Sequence, residues 1–138
     1  MTCFWKGILY LLDVQEINVI LGTKYQKQIS PKQFVTALKK KNIKVNNIKH
    51  NDHILKTHEV DDNLDRINMI DPKYLSDGYL CSGFEPIFFL ISHLFRYNIK
   101  HEYCGTLITY TNSDAKGELI FGSNRFHFYP IKKDLYGK

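Results

Sequence analysis

The apolar residues change their period part-way along the chain, and this limits the architecture more than any other feature. Up to about Tyr97 they recur at helical spacing, and from Asn98 they alternate. A 3.6-residue period buries one stripe of a helix, whereas a two-residue period buries one face of a strand. Helices followed by strands predict an α+β domain, with N-terminal helices packed on a C-terminal, mostly antiparallel sheet. The 138 residues suit one domain. No internal repeat, low-complexity linker or hinge rich in Pro, Gly and Ser divides them, so residues 1–138 are expected to form a single domain. At this length about two-thirds of the unfolded surface can be buried, so the core needs no metal or disulfide staple.

Individual elements follow from local signals. Phe4, Ile8, Leu11 and Leu12 share one face of a buried helix that starts at Thr2 or Cys3. Gly7 inside it costs about 1 kcal/mol against Ala and so marks a close approach. Asp13 re-caps the chain before Val14–Leu21. Ser30, Pro31 and Gln33 fit the N-cap, N1 and N3 positions of a helix running to about Lys41, with Phe34, Val35 and Leu38 inward. Residues 42–60 read as a polar loop with a short strand or turn, and Asp61-Asp62 begin a helix that ends before Asp71-Pro72. Glu85–Phe95 is apolar almost all round and is the expected central helix. Four strands are predicted at Ile99–Tyr103, Leu107–Thr111, Glu118–Phe121 and Arg125–Ile131. They form a meander, with Asn112-Ser113-Asp114 and Lys116-Gly117 turning the second into the third.

Several function classes recede at this point. The apolar runs Ile8–Leu12 and Ile87–Phe95 fall far short of the roughly 18 residues of a membrane span. No signal-peptide pattern is expected at the N-terminus. Cys3, Cys81 and Cys104 are odd in number and contain no CxxC pair, which argues against a disulfide framework or a cysteine-rich zinc site and for a reducing, cytoplasmic setting. His50, His53 and His58 lie near Asp52 and Glu59 but lack ligand spacing on one element, and they read as loop histidines. The net charge of +5 is unevenly spread. Residues 1–58 hold ten lysines against three acids, a net of +7, and residues 59–138 carry a net of −2. Lys39-Lys40-Lys41 could touch nucleic acid, although a solvated helix face is the simpler reading. Residues 59–85, at a net of −5, could likewise face a basic partner or simply be a solvated acidic helix. Lys, Ile, Asn, Tyr and Phe supply 59 of the 138 residues and Ala only two, a bias that fits an AT-rich coding sequence.

Two residues stand out for chemistry. Cys3 falls at the start of a buried helix, where the dipole and free N–H groups lower a thiol pKa and stabilise an oxyanion. His127 falls in the last strand between Phe126 and Phe128, and alternation would point it with Arg125 and Tyr129 to the opposite face from the two Phe. A cysteine at a helix start with a histidine on a neighbouring strand is the arrangement of papain-like thiol proteases. Cys81, just before Ser82-Gly83, is an alternative nucleophile at a helix start. Cys104 reads as a strand-end thiol and His93 as a core or rim residue.

Three blocks carry a family resemblance. Thr2-Cys3-Phe4-Trp5-Lys6-Gly7-Ile8 resembles the cysteine block of ovarian-tumour (OTU) type cysteine proteases, usually Asp-Gly-Asn-Cys-Leu-Phe-Arg-Ala. Gly83–Ile99 is similar to that family's central helix and first strand, and Asn124–Ile131 to its closing histidine block. The blocks occur in the family's order, span nearly the whole chain and most resemble compact viral members. The resemblance implies a papain-like fold and a monomeric thiol protease acting on conjugates of ubiquitin or a ubiquitin-like modifier in the host cytoplasm. A viral member can also process its own polyprotein. By that resemblance Cys3 attacks the carbonyl, His127 shuttles the proton, and backbone N–H groups around residues 1–3 form the oxyanion hole. No cofactor or metal is implied. Tyr129 stands where the family carries Asp or Asn, so Asn124 is the nearest candidate to orient His127; without it the site is a Cys–His dyad. A non-catalytic module that binds nucleic acid or a host protein through the basic N-terminal region is the alternative reading.

Overall fold

Side-chain chemistry at the helix starts accounts for most of the element boundaries. A computed structural model describes residues 3–75 and 81–137, with side chains for 4–75 and 84–137. Helix α1 (Cys3–Leu11) buries Phe4, Trp5, Ile8 and Leu11 and leaves Tyr10 in water. Asp13 separates it from α2 (Val14–Leu21), whose first turn is closed by the Asp13 N–H donating to Glu16 Oε1 at 2.9 Å. Helix α3 (Pro31–Lys40) has the expected reciprocal cap: the Gln33 N–H donates to Ser30 Oγ at 3.1 Å, and the Ser30 N–H to Gln33 Oε1 at 3.0 Å. Helix α4 (Thr57–Asn68) starts before the expected Asp61-Asp62, because Glu59 acts as the capping side chain and accepts the Lys56 N–H at 2.8 Å. A 3₁₀ turn at Pro72–Tyr74 precedes α5 (Cys81–Phe95), which begins earlier than expected and carries Pro86 within it. Ile87–Ile91 and Phe95 are buried, so α5 is the central helix that its composition predicts.

The sheet has the order β2-β1-β4-β3-β5-β6. Its strands are β1 (Ile48–His50), β2 (His53–Ile54), β3 (Tyr97–Tyr103), β4 (Thr106–Asn112), β5 (Gly117–Ser123) and β6 (Phe128–Leu135). The chain is therefore α+β with a mixed sheet, four of whose five pairings are antiparallel. The expected meander is corrected. Strand β5 does not fold back on β4 but crosses the start of β3 and pairs with β3 in parallel, Gly117 beside Tyr97. The short link 113–116 manages this because the Lys116 N–H donates to Arg96 O at 2.8 Å and the Asp114 N–H to Asn112 Oδ1 at 2.8 Å, which wraps it round the β3 entrance. The last strand is corrected too: β6 starts at Phe128, not Arg125, and runs to Leu135. Pro130 cannot donate to the ladder, and the register slips beside it, Phe121 pairing with Pro130 and Ile120 with Lys132.

Tyr97, Ile99 and His101 of β3, Tyr110 and Asn112 of β4, and Leu119, Phe121 and Ser123 of β5 form the buried face of the sheet. Rings from α1 and α5 pack on this face: Phe4 meets Phe128 at 4.8 Å, and Phe88 meets Tyr110 at 5.0 Å. Helix α2 is tied down by charge. Glu16 accepts the Tyr97 hydroxyl at 2.6 Å and the Lys133 ammonium at 2.7 Å. Burial pushes the Glu16 carboxyl up, but these hydrogen bonds outweigh it and hold its pKa below the usual value. Burial and the Glu16 carboxylate push the Tyr97 hydroxyl up to about 12. Among the described residues, no helix is long and apolar enough to cross a membrane.

Candidate active site

The first turns of α1 and α5 and the start of β6 converge on one cluster of aromatic rings. Phe4, the second residue of α1, stacks on Phe84, in the first turn of α5, with centroids 4.2 Å apart and planes 11° from parallel. The same Phe4 ring lies 4.8 Å from Phe128 and 5.5 Å from Phe88. Gly7 makes this approach possible: a Cβ there would lie 2.9 Å from the Phe128 ring and 3.5 Å from Pro130. The expectation of a close contact at Gly7 is thereby met, and the contact is with β6.

Cys3 immediately precedes Phe4, and His127 immediately precedes Phe128. The fold thus brings the chain neighbours of the expected nucleophile and the expected base together. Cys3 is the first residue of α1, but its side chain lies outside the described residues, as do residues 1 and 2 of the expected oxyanion donors around residues 1–3. Cys81, the alternative nucleophile, is the first residue of α5, and its side chain also lies outside them. The first turns of both helices border the same cluster, through Phe4 and Phe84.

His127 is exposed and sits in the turn between β5 and β6, so strand alternation with Arg125 and Tyr129 does not set its direction. That expectation is corrected, and the turn itself supplies the reason. The Asn124 carboxamide oxygen accepts the N–H groups of both Phe126 and His127 at 2.9 Å, and the Asn124 N–H donates to His127 O at 2.9 Å. These bonds curl residues 124–127 out of the ladder. Asn124 therefore reaches His127 through its main chain. The His127 ring is thus carried on an exposed turn immediately before Phe128, which packs on Phe4 of the first turn of α1.

One buried polar residue next to this cluster escaped the sequence reading. His101 on β3 is 0% exposed, with Nε2 2.6 Å from the hydroxyl oxygen of Ser123, the last residue of β5. Burial pushes its pKa down to about 4, so the ring is neutral at pH 7. Its ring also lies 5.6 Å from Phe128 and 5.3 Å from Phe88. The signal was present in the alternation of Ile99, His101 and Tyr103, which puts all three on one face.

The remaining candidates are dispersed. His50 stacks on Tyr110 at 5.2 Å, and its Nε2 is 3.2 Å from Glu85 Oε2, which also accepts the Tyr110 hydroxyl at 3.0 Å. The His50–Glu85 contact is at ion-pair distance but is not aligned as a hydrogen bond. His53 and His58 are exposed, His93 pairs with Asn47 at 2.9 Å, and Cys104 is an exposed thiol in the β3–β4 turn. Among the described residues no three His, Cys, Asp or Glu side chains are grouped so as to hold a metal ion. In the basic N-terminal region, Lys39 donates to Ile70 O and Lys44 pairs with Asp61 at 3.0 Å, so part of the positive charge is spent within the fold. No family model, curated protein or solved structure matches the chain, and its functional reading rests on these residues.

Proposed function

We propose that this chain is a papain-like thiol protease that cleaves the peptide or isopeptide bond after the C-terminal glycine of ubiquitin or a ubiquitin-like modifier. The observation that carries the reading is the 4.8 Å contact between Phe4 and Phe128, the neighbours of Cys3 and His127. The choice of ubiquitin-type substrates rests on the resemblance of the three sequence blocks to OTU proteases.

In this mechanism the Cys3 sulfur, its proton passed to His127, attacks the glycine carbonyl. N–H groups at the α1 start stabilise the tetrahedral oxyanion. His127 gives its proton to the leaving amine as the C–N bond breaks, which leaves a thioester on Cys3. Water, deprotonated by His127, then attacks the thioester and releases the modifier with a free carboxylate. Asn124 holds the His127 main chain throughout by accepting its N–H and donating the Asn124 N–H to its carbonyl oxygen. The test is cleavage of a ubiquitin C-terminal fluorogenic amide by the wild type and by Cys3→Ala, Cys81→Ala and His127→Ala. Loss of activity in Cys3→Ala and His127→Ala with retention in Cys81→Ala is expected. Retention in Cys3→Ala with loss in Cys81→Ala moves the nucleophile to α5, and no cleavage of ubiquitin or ubiquitin-like substrates by the wild type removes the proposal.

A further inference from the structure

We propose that His101 is a positioning residue for His127, gripping both ends of the β5–β6 turn from the buried face of β3. The proposal rests on the thiol-protease reading for its catalytic meaning, and on geometry alone for the positioning.

The turn leaves β5 at Ser123 and enters β6 at Phe128, and these two residues face each other across the ladder. His101 touches both. Its Nε2 is 2.6 Å from Ser123 Oγ, and its ring is 5.6 Å from the Phe128 ring. Ser123 is itself buried, 3% exposed, and its carbonyl accepts the Cys104 N–H at 3.1 Å. Between the two anchor points lies the Asn124 cap that fixes the His127 main chain. The line of contact from the central strand to the His127 main chain is therefore continuous: His101, Ser123, Asn124, His127.

An apolar pair at positions 101 and 123 would fill the same space without the penalty of burying two polar groups. What the imidazole–hydroxyl pair adds is direction. A hydrogen bond holds the Ser123 side chain in one rotamer and tethers the end of β5 to β3 at that point. Aromatic packing on Phe128 fixes the other end. A turn held at both ends carries His127 at one distance from the α1 start, and proton transfer depends steeply on that distance.

The experiment uses Ser123→Ala, His101→Leu and His101→Gln in the full chain. Ser123→Ala removes the bond and leaves almost no cavity, so it tests the proposal even where His101→Leu fails to fold. The first readout is the split between kcat and KM on a ubiquitin C-terminal amide. Ser123→Ala is expected to lower kcat by about tenfold with KM changed less than about twofold, and His101→Gln, which keeps a hydrogen-bonding group near Nε2, to recover most of the loss of His101→Leu. The second readout is the NMR pH titration of the His127 ring, which needs no substrate. A changed His127 shift and apparent pKa in Ser123→Ala support the positioning; a His127 titration and kcat both equal to wild type overturn it. If the wild type cleaves nothing, the protease reading fails by itself, and the His127 titration still decides whether His101 positions that ring.

Discussion

Replacing Gly7 with Ala tests the contact on which the site depends. The added Cβ would lie 2.9 Å from two carbons of the Phe128 ring, where carbon atoms at rest stand about 3.5–4.0 Å apart. Something must yield by about 0.6–1 Å. Phe128 is poorly placed to do so, since Phe4, Phe121, His101 and Phe88 surround it with centroids at 4.8, 5.0, 5.6 and 6.0 Å. Overpacking of this kind costs about 1–3 kcal/mol, and the gain in helix propensity from Gly to Ala returns about 1 kcal/mol. The net expectation is a loss of about 1 kcal/mol, or about 3 °C in Tm. On the proposed mechanism the functional loss is larger. If α1 moves by up to about 1 Å against β6, Cys3 moves by the same amount relative to His127, a displacement that costs up to about 10²-fold in rate. Urea denaturation and ubiquitin-amide cleavage measured on the same preparation read the two effects. A Gly7→Ala protein at least as stable as wild type, with undiminished cleavage, would refute the reasoning that this packing sets the geometry of the site.

Three further outcomes follow from named residues. His101 has a folded pKa of about 4 against the usual 6.5, so the unfolded chain binds the extra proton first, and stability present above pH 6.5 is lost as pH falls toward 4. The loss reaches about 2 kcal/mol by pH 5, and urea titrations at pH 7.5 and 5 on wild type and His101→Gln should show the variant's slope to be flatter. Glu16→Gln leaves Lys133 with a neutral partner in a half-buried site and should cost about 2 kcal/mol by denaturation, while the Tyr97 pKa falls from about 12 but stays above 10 because burial remains, as read by ultraviolet titration. Asn124→Ala removes the acceptor for two turn N–H groups and should cost about 1 kcal/mol of stability, with a larger proportional loss in kcat than in KM.

Sequence legibility followed the range of the interaction that sets each feature. The α3 cap was readable because Ser30, Pro31 and Gln33 are close in the chain and satisfy one another. The central helix was readable because its side chains are apolar almost all round, and Gly7 because a helix interior tolerates glycine only for a reason. The start of α4 was missed because Glu59 caps it from inside, with Lys56 offering no capping oxygen. The pairing of β5 with β3 could not be read, since a two-residue period says which face is buried and nothing about which neighbour is paired. The place of His127 outside the strand depends on Asn124, whose two hydrogen bonds to the turn override the alternation of Arg125 to Tyr129. His101 was visible as an inward residue of β3, but its partner Ser123 lies 22 residues away, and only the parallel pairing brings them together.

The most direct test of the central claim is the reaction of the full chain with ubiquitin bearing a C-terminal thiol-reactive group, read by intact mass and peptide mapping. A single adduct on Cys3, lost when ubiquitin is unfolded beforehand and much slowed in His127→Ala, is the expected result. An adduct on Cys81 would move the nucleophile to α5, and no adduct with ubiquitin or any ubiquitin-like modifier under conditions where Cys3 is still alkylated by iodoacetamide would contradict the thiol-protease claim.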